Sequence, residues 1–200
     1  MKKMHLVIGL MCLALLSSCA NAPKITRTDA SQQVDLSGFW NDTDSQLVSQ
    51  EMIQDSLSRP WVSEFVSEKG VKPRVIVGTV LNKSSEHINT ETFVADLERE
   101  LTNSGKVRFV AAKPQKEEVR EERIEQAKNA SLKTAKSAGK EYGADFMLQG
   151  KINTIMDQAA NTSLKYYQIE LELVDIETTE KVWIGQKKIK KIVEQKKRRI

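Results

Sequence analysis

Acidic and amide side chains alternate in a short stretch near the N-terminus, a spacing that some calcium-binding loops use. Asp42, Asp44 and Gln46 would supply the first three ligands of such a loop. Its sixth position holds Leu47 where the loop needs glycine, and its twelfth holds Ile53 where the loop needs glutamate. The pattern therefore predicts no metal site.

The same stretch, LSGFWNDTDS, has a structural interpretation. Asp44 or Ser45 suits the N-cap of a helix, because short polar side chains accept hydrogen bonds from the first backbone amides. Phe39 and Trp40 would then pack at the entrance of that helix. A partner-binding site built on these aromatic residues is the alternative.

Residues suited to catalysis are scarce. His87 is the one histidine beyond the N-terminal apolar segment, and no neighbour in the sequence is placed to orient it as a base. The chain has no glycine-rich phosphate loop and no G-x-S-x-G motif. Glu117, Glu118, Glu121 and Glu122 alternate with arginines, as on a solvated helix face. We predict no enzyme, no cofactor and no small-molecule substrate, with a carboxylate-dependent glycan hydrolase as the weakest alternative.

Cys19 carries the one covalent modification that the sequence predicts. Lys2 and Lys3 open the chain, an apolar run reaches Leu16, and the motif LSSC ends the run. The run is shorter than the ~20 residues of a membrane-spanning helix and is typical of a secretory signal peptide. The motif resembles the lipobox of bacterial lipoproteins, which implies cleavage before Cys19 and acylation of its sulfur and amino group. Cys12 would be removed, so the mature chain would have no free thiol.

The anchor and the composition predict how the chain is organised. Three acyl chains exceed the two signals that stable anchoring needs. Ala20 follows the cysteine where an inner-membrane retention signal carries aspartate, so the sorting rule predicts the outer membrane, with the protein facing the periplasm. The predicted parts are a signal peptide at 1–18, a lipid-anchored short linker at 19–35, a globular domain at 36–191 and a basic tail at 192–200.

Positive charge is concentrated at the C-terminus. The last fourteen residues contain eight lysines and arginines and one glutamate, whereas the body before them is mildly acidic despite the net charge of +4. An exported chain with this distribution is not expected to bind nucleic acid. The tail is either a solubilising end or a contact for anionic surfaces such as lipid headgroups or acidic glycans.

Hydrophobic periodicity predicts an α/β (α+β) sandwich in which a mixed sheet of about four to five strands is flanked by helices. The predicted order is α-α-β-α-β-α-α-β-β-β. Its first helix buries Leu47, Val48, Met52 and Leu57. A strand through PRVIVGTVLN follows, then a helix capped by Asn89 or Thr90, and then a strand from Lys106 to Ala111. Because a helix connects them, these two strands should be parallel. A charged, exposed helix through EEVREERIEQAKN, a buried helix through LKTAKSAGKEYG and three strands complete the chain.

A set of ordered motifs resembles the LpoB family of penicillin-binding protein activators. These motifs are LSGFWNDTDS, RPWVSEF, KPRVIVGTVLNKSSEHI, LTNSGKVRFVA, EYGADFMLQGKI and ETTEKVWIG. The resemblance implies a non-enzymatic outer-membrane lipoprotein that docks onto a bifunctional class A penicillin-binding protein and stimulates peptidoglycan synthesis. An envelope-organising or adaptor lipoprotein without effect on synthesis is the alternative. The best-known members have a long Pro-rich linker, whereas Ala20 to Asp35 is short and contains only Pro23.

The resemblance also implies a partner surface along the strand after the GAD turn. Gln149, Lys151 and Asn153 occupy alternate positions of that strand and are the predicted partner-binding residues. A competing prediction places the contact on the basic C-terminal region, through residues such as Lys190, Arg198 and Arg199.

Overall fold

The computed structural model describes residues 25–29, 32–111, 113–129 and 141–194. The chain divides into two units between Gln32 and Gln33. In the first unit, the described residues form neither helix nor strand. All elements given below belong to the second unit. Cys19, Arg198 and Arg199 lie outside the described residues.

Helices and strands follow one another in nearly the predicted order. They are α1 (Asp42–Ser58), α2 (Trp61–Lys69), β1 (Arg74–Lys83), α3 (Thr90–Asn103), β2 (Arg108–Phe109), α4 (Lys113–Asn129), β3 (Phe146–Ala159), β4 (Thr162–Asp175) and β5 (Lys181–Glu194). The buried helix predicted through LKTAKSAGKEYG falls largely outside the described residues.

The five strands form one mixed sheet in the order β2-β1-β3-β4-β5. Strand β1 runs parallel to β2 and to β3, whereas β3, β4 and β5 pair as antiparallel neighbours. The predicted fold class and the predicted parallel pairing of the first two strands are therefore confirmed. Strand β2 is shorter than the predicted Lys106 to Ala111, because only Arg108 and Phe109 pair with the start of β1.

Local sequence signals account for the helix ends. Asn41 caps α1 by accepting from the Asp44 backbone amide at 3.0 Å, and the Asp44 carboxylate accepts from the Asn41 backbone amide at 3.0 Å. The prediction of Asp44 or Ser45 as the cap is wrong, because Asp44 is instead the reciprocal acid three residues into the capping box. Asn89 caps α3, as predicted.

The core lies between one face of the sheet and helices α1 and α3. Val48, Met52 and Leu57 of α1 are buried there as predicted. Leu47 is 39% exposed instead, because one helical position before Val48 turns its side chain about 100° away from the core. Ile53 takes its place at 2% exposure.

Strand β5 continues past the predicted domain end at Lys191. Ile192, Val193 and Glu194 pair with residues 164, 163 and 162 of β4. Half of the predicted basic cluster, Lys187 to Lys191, therefore belongs to the sheet.

Candidate functional site

The sheet presents two different faces. Helices α1 and α3 cover the inner face, which carries the buried residues Tyr167, Ile169, Leu171 and Leu173 of β4 as the alternation predicts. Side chains on the other side, which we call the outer face, are exposed or half-buried. They include Leu81 of β1, Gln149, Lys151 and Asn153 of β3, Glu170 and Glu172 of β4, and Ile184, Gln186 and Lys188 of β5.

The three predicted partner-binding residues lie together on the outer face, because they alternate with the buried Leu148 and Ile152. The Gln149 side-chain amide donates to Glu172 Oε1 at 2.8 Å. Lys151 Nζ lies 2.9 Å from Glu170 Oε2, and Asn153 stands opposite Gln168 in the register of β3 and β4. The predicted placement is confirmed, whereas partner binding by these residues stays a prediction.

Contacts between neighbouring strands pair the charged side chains of this surface and lower the pKa values of its carboxylates. A hydrogen bond from Lys151 is the largest cause that holds the pKa of Glu170 below its usual range. Hydrogen bonds from Lys181 and, to a smaller extent, from Gln149 lower the pKa of Glu172. Both carboxylates therefore stay ionised at neutral pH, and the lysines that neutralise them remain about half exposed.

A shallow groove of about 560 Å³ runs across this part of the outer face. Gln149, Lys151 and Glu170 are among its polar residues, and Leu81 and Ile184 contribute exposed apolar side chains, 48% and 67% exposed. Hydrogen-bonding groups flanked by apolar side chains are typical of a protein contact surface.

The described residues offer little support for a reactive centre. Across these ranges, no group of three or more His, Cys, Asp or Glu residues is arranged to hold a metal ion. His87 is exposed in the loop between β1 and α3. The hydrogen-bonding and ion-pairing groups of the outer face suit recognition of another molecule.

Polar residues buried on the inner side hold the segment that leads into α1. We call this cluster the N-terminal clamp. It comprises Asp35, Gly38, Phe39 and Trp40 together with the residues that hold them, Asp44, Glu86, Lys165, Tyr167 and Lys191.

Glu86 and Lys165 form the centre of the clamp. Lys165 Nζ lies 2.8 Å from Glu86 Oε1, and both side chains are only 6% exposed. The Tyr167 hydroxyl is 2.8 Å from Glu86 Oε2 and 2.9 Å from the Gly38 carbonyl oxygen, and the Trp40 backbone amide donates to the same carboxylate. Burial alone would raise the pKa of Glu86, but the hydrogen bonds from Lys165, Tyr167 and Trp40 outweigh it and lower that pKa.

Lys191 forms the second part of the clamp. Its ammonium lies 2.6 Å from Asp44 Oδ2 and 2.8 Å from Asp35 Oδ1, and it donates to the Phe39 carbonyl. These acids raise the pKa of Lys191 against the opposing effect of burial. Lys191 is therefore a structural residue and not part of a free basic tail.

The aromatic pair in this segment has a mostly structural role. Trp40 packs edge-on against Phe93 and Tyr167, with ring centroids 5.8 Å apart in each pair. Phe39 is 56% exposed, and Lys165 Nζ lies 3.1 Å from its ring centroid. The predicted packing at the helix entrance is thus confirmed for Trp40.

Sequence reasoning missed the clamp, although one signal for it was present. Lys165 stands in phase with Tyr167, Ile169 and Leu171, the buried face of β4. A lysine in phase with a buried face implies a buried counter-ion, because an unpaired ammonium is rarely buried. Nothing local identifies Glu86 as that counter-ion.

None of the described helices is both long and apolar enough to cross a bilayer.

No curated protein sequence matches the chain. Among solved structures, the chain is similar to the LpoB C-terminal domain from Salmonella enterica, with 19% identity over 74% of this chain and 98% of that one and a TM-score of 0.37. The LpoB C-terminal domain from Escherichia coli gives 18% identity over 70% and 97%, with a TM-score of 0.38. Lipoprotein GNA1162 from Neisseria meningitidis gives 17% identity over 60% and 83%, with a TM-score of 0.39.

The family model of the peptidoglycan-synthase activator LpoB matches residues 44–189, a range that begins in α1, contains the whole outer-face groove and ends in β5. Because this match covers well over half of the sequence, the chain belongs to the LpoB family of peptidoglycan-synthase activators.

Proposed function

We propose that the protein is an outer-membrane lipoprotein, anchored through Cys19 and facing the periplasm, that binds and activates a bifunctional class A penicillin-binding protein. The observation that carries this proposal is the family match over residues 44–189. The LSSC motif after an apolar run supports the anchor. The polar and apolar groups that line the outer-face groove suit contact with a protein partner, which supports the proposed binding.

The outer-face groove is the surface that we assign to the synthase. Lys151 lies at its centre and is 48% exposed, so a partner carboxylate can replace Glu170 as its counter-ion. Gln149 adds an amide group inside the groove, Asn153 adds another on the same strand beyond it, and Leu81 and Ile184 add apolar area. Interfaces are stabilised most by side chains that become fully desolvated at such a centre.

Activity measurements separate the candidate functions. The mature protein is incubated with peptidoglycan alone, and separately with a class A synthase from the same organism and its lipid-linked precursor. Faster glycan polymerisation and cross-linking only in the presence of the synthase is the expected result. Release of soluble fragments from peptidoglycan by the protein alone would establish a hydrolase. Stable binding to the synthase without acceleration would establish an adaptor.

Charge reversal at the centre of the groove should weaken synthase binding. We expect Lys151→Glu to cost about 1–2 kcal/mol of binding free energy, which raises Kd roughly 5- to 30-fold, because it places a carboxylate beside Glu170 where the partner meets the sheet. Isothermal titration measures Kd, and thermal unfolding verifies that the exposed substitution leaves the fold intact. Lys69→Glu is the matched control, since Lys69 is 52% exposed and lies on α2, away from the groove.

Truncation after Glu194 tests the competing contact. It removes four basic residues and leaves β5 whole. Binding that withstands Lys151→Glu but disappears on truncation, with a steep salt dependence, would move the site to the C-terminus. Binding that withstands both changes would contradict both assignments.

Removing the predicted acylation site should release the protein from membranes. We expect Cys19→Ala to abolish acylation, because the thioether requires the cysteine sulfur. Cell fractionation and mass spectrometry of the purified chain measure the outcome. Cys12→Ala is the control, and it should stay membrane-bound because the predicted cleavage removes residue 12. An acylated, membrane-bound Cys19→Ala variant would exclude the anchor.

A further inference from the structure

One end of the outer face differs from the groove in character. Ile155 pairs with Tyr166, and Leu164 pairs with Ile192, so four apolar side chains form a contiguous block where β5 ends. Ile155 is 66% exposed and Ile192 is 65% exposed, whereas Leu164 and Tyr166 are half-buried. We call this block the apolar end. An exposed apolar patch bordered by charges marks a contact surface.

Lysines border the apolar end. Lys190 pairs with Tyr166, and Lys188 lies one outward position further along β5. No residue in the described ranges forms an ion pair with either lysine, in contrast to Lys151 and Lys181 on the same face. Four more basic residues follow Glu194 in the sequence. Asp157 pairs with Leu164 in the register of β3 and β4, and Glu194 pairs with Thr162 at the end of β5, so two acids of the described strands stand beside the block.

The chain enters the domain at this same end. Lys191, the neighbour of Ile192, holds Asp35 in the N-terminal clamp. Leu36 is 93% exposed and lines a groove of about 380 Å³ together with Ile192. Asp35 comes sixteen residues after Cys19, a separation of at most ~55 Å even for fully extended chain.

We infer that the apolar end, with Leu36 and the lysines beside it, docks the domain onto an anionic lipid surface, that of the membrane which holds the anchor. This inference rests on the lipid anchor proposed above. A short tether keeps the domain at high effective concentration near that surface. Apolar side chains then enter the boundary between headgroups and acyl chains, and the ammonium groups meet lipid phosphates.

Docking through the apolar end leaves the outer-face groove accessible. Ile184 borders the groove and Ile192 belongs to the apolar end, and eight residues of strand separate them by roughly 27 Å. The two isoleucines lie on the same strand and the same face with almost equal exposure. They therefore form a matched pair of reporter positions.

The test places an environment-sensitive nitrobenzoxadiazole label at each position in turn. Full-length lipidated Ile192→Cys and Ile184→Cys each carry a single free thiol, because Cys12 leaves with the signal peptide and Cys19 is acylated. Each protein is reconstituted in vesicles of phosphatidylcholine alone or of phosphatidylcholine and phosphatidylglycerol in equal parts. We expect brighter, blue-shifted emission at residue 192 in the anionic vesicles only, weakened by salt, and no change at residue 184. Lys188→Gln with Lys190→Gln should remove most of that response.

Vesicle flotation distinguishes failure of docking from failure of the anchor. Flotation without a spectral change at residue 192 would overturn docking and leave the anchor standing, whereas a chain that does not float would contradict both. Equal responses at both positions would exclude the proposed orientation. A response at residue 192 to an acidic polysaccharide or to the synthase, but not to anionic vesicles, would also overturn the inference. Thermal unfolding of each variant verifies that the labelled chains are folded.

Discussion

Replacing Lys165 by methionine is expected to lower the free energy of unfolding by about 3–5 kcal/mol at neutral pH, because it leaves a buried carboxylate without its counter-ion. Glu86 would retain only the Tyr167 hydroxyl and the Trp40 backbone amide as partners. The cation–π contact between Lys165 and the Phe39 ring would be lost as well. Denaturant unfolding followed by circular dichroism measures the loss.

Two further variants make this result specific. Lys181→Met removes a lysine that pairs with Glu172 but is 53% exposed, and it should cost less than about 1 kcal/mol. Adding Glu86→Gln to Lys165→Met should recover part of the loss, since it removes the unpaired charge. Equal destabilisation by Lys165→Met and Lys181→Met would show that the clamp does not stabilise the fold.

The dependence of stability on acidic pH provides an independent test of the ion pair between Glu86 and Lys165. The pKa of Glu86 is lower in the folded protein than its ordinary value of 4.5. Its contribution to stability is therefore fully present above that value and is lost as the pH falls through the lower, folded pKa. We expect the stability of the Lys165→Met variant to fall less steeply over this acidic range than that of the natural protein.

Substituting alanine for Gly150 should be the second most damaging change, with a cost of about 3 kcal/mol. A Cβ at this position would overlap the backbone carbonyl of Glu170 and come within 2.6 Å of Leu171 Cδ2. Strand β3 is central and hydrogen-bonded on both sides, so its backbone has little freedom to move away from β4.

Gly143→Ala is the matched control for that prediction. Apart from its two chain neighbours, no atom of the described residues lies within 4 Å of a Cβ built at Gly143, so the same chemical change should have little effect there. Melting temperatures of the two variants compare them directly. Similar values would mean that β3 and β4 separate more readily than their paired backbones indicate.

Patterns with short periods made much of the fold predictable. Alternation in SLKYYQIELELVD identified the buried face of β4, and Asn89 with its downstream apolar stripe identified α3. The cap of α1 was placed wrongly because Asn41 and Asp44 both suit an N-terminus, and only the backbone geometry decides which of them caps and which one reciprocates.

The candidate site was predictable in part for the same reason. A period of two is enough to place Gln149, Lys151 and Asn153 on one face of a strand. Their pairing with Glu172, Glu170 and Gln168 depends on the register between strands, which the sequence does not state. The N-terminal clamp was harder to predict, because Lys165 and Glu86 are 79 residues apart in the sequence and meet only in the folded protein.

The N-terminal clamp also has a mechanical consequence. Tension applied to the chain ahead of Asp35 meets two attachments together. Lys191 on β5 pairs with Asp35 and with Asp44 in the first turn of α1, and the side-chain amide of the Asn41 cap donates to Asp35 Oδ1 at 2.6 Å. A pull at this point is therefore shared between the capped end of α1 and strand β5, which pairs along its length with β4. Because Lys191 fixes Asp44 to the sheet, a taut tether would load the first turn of α1 and strand β5 together.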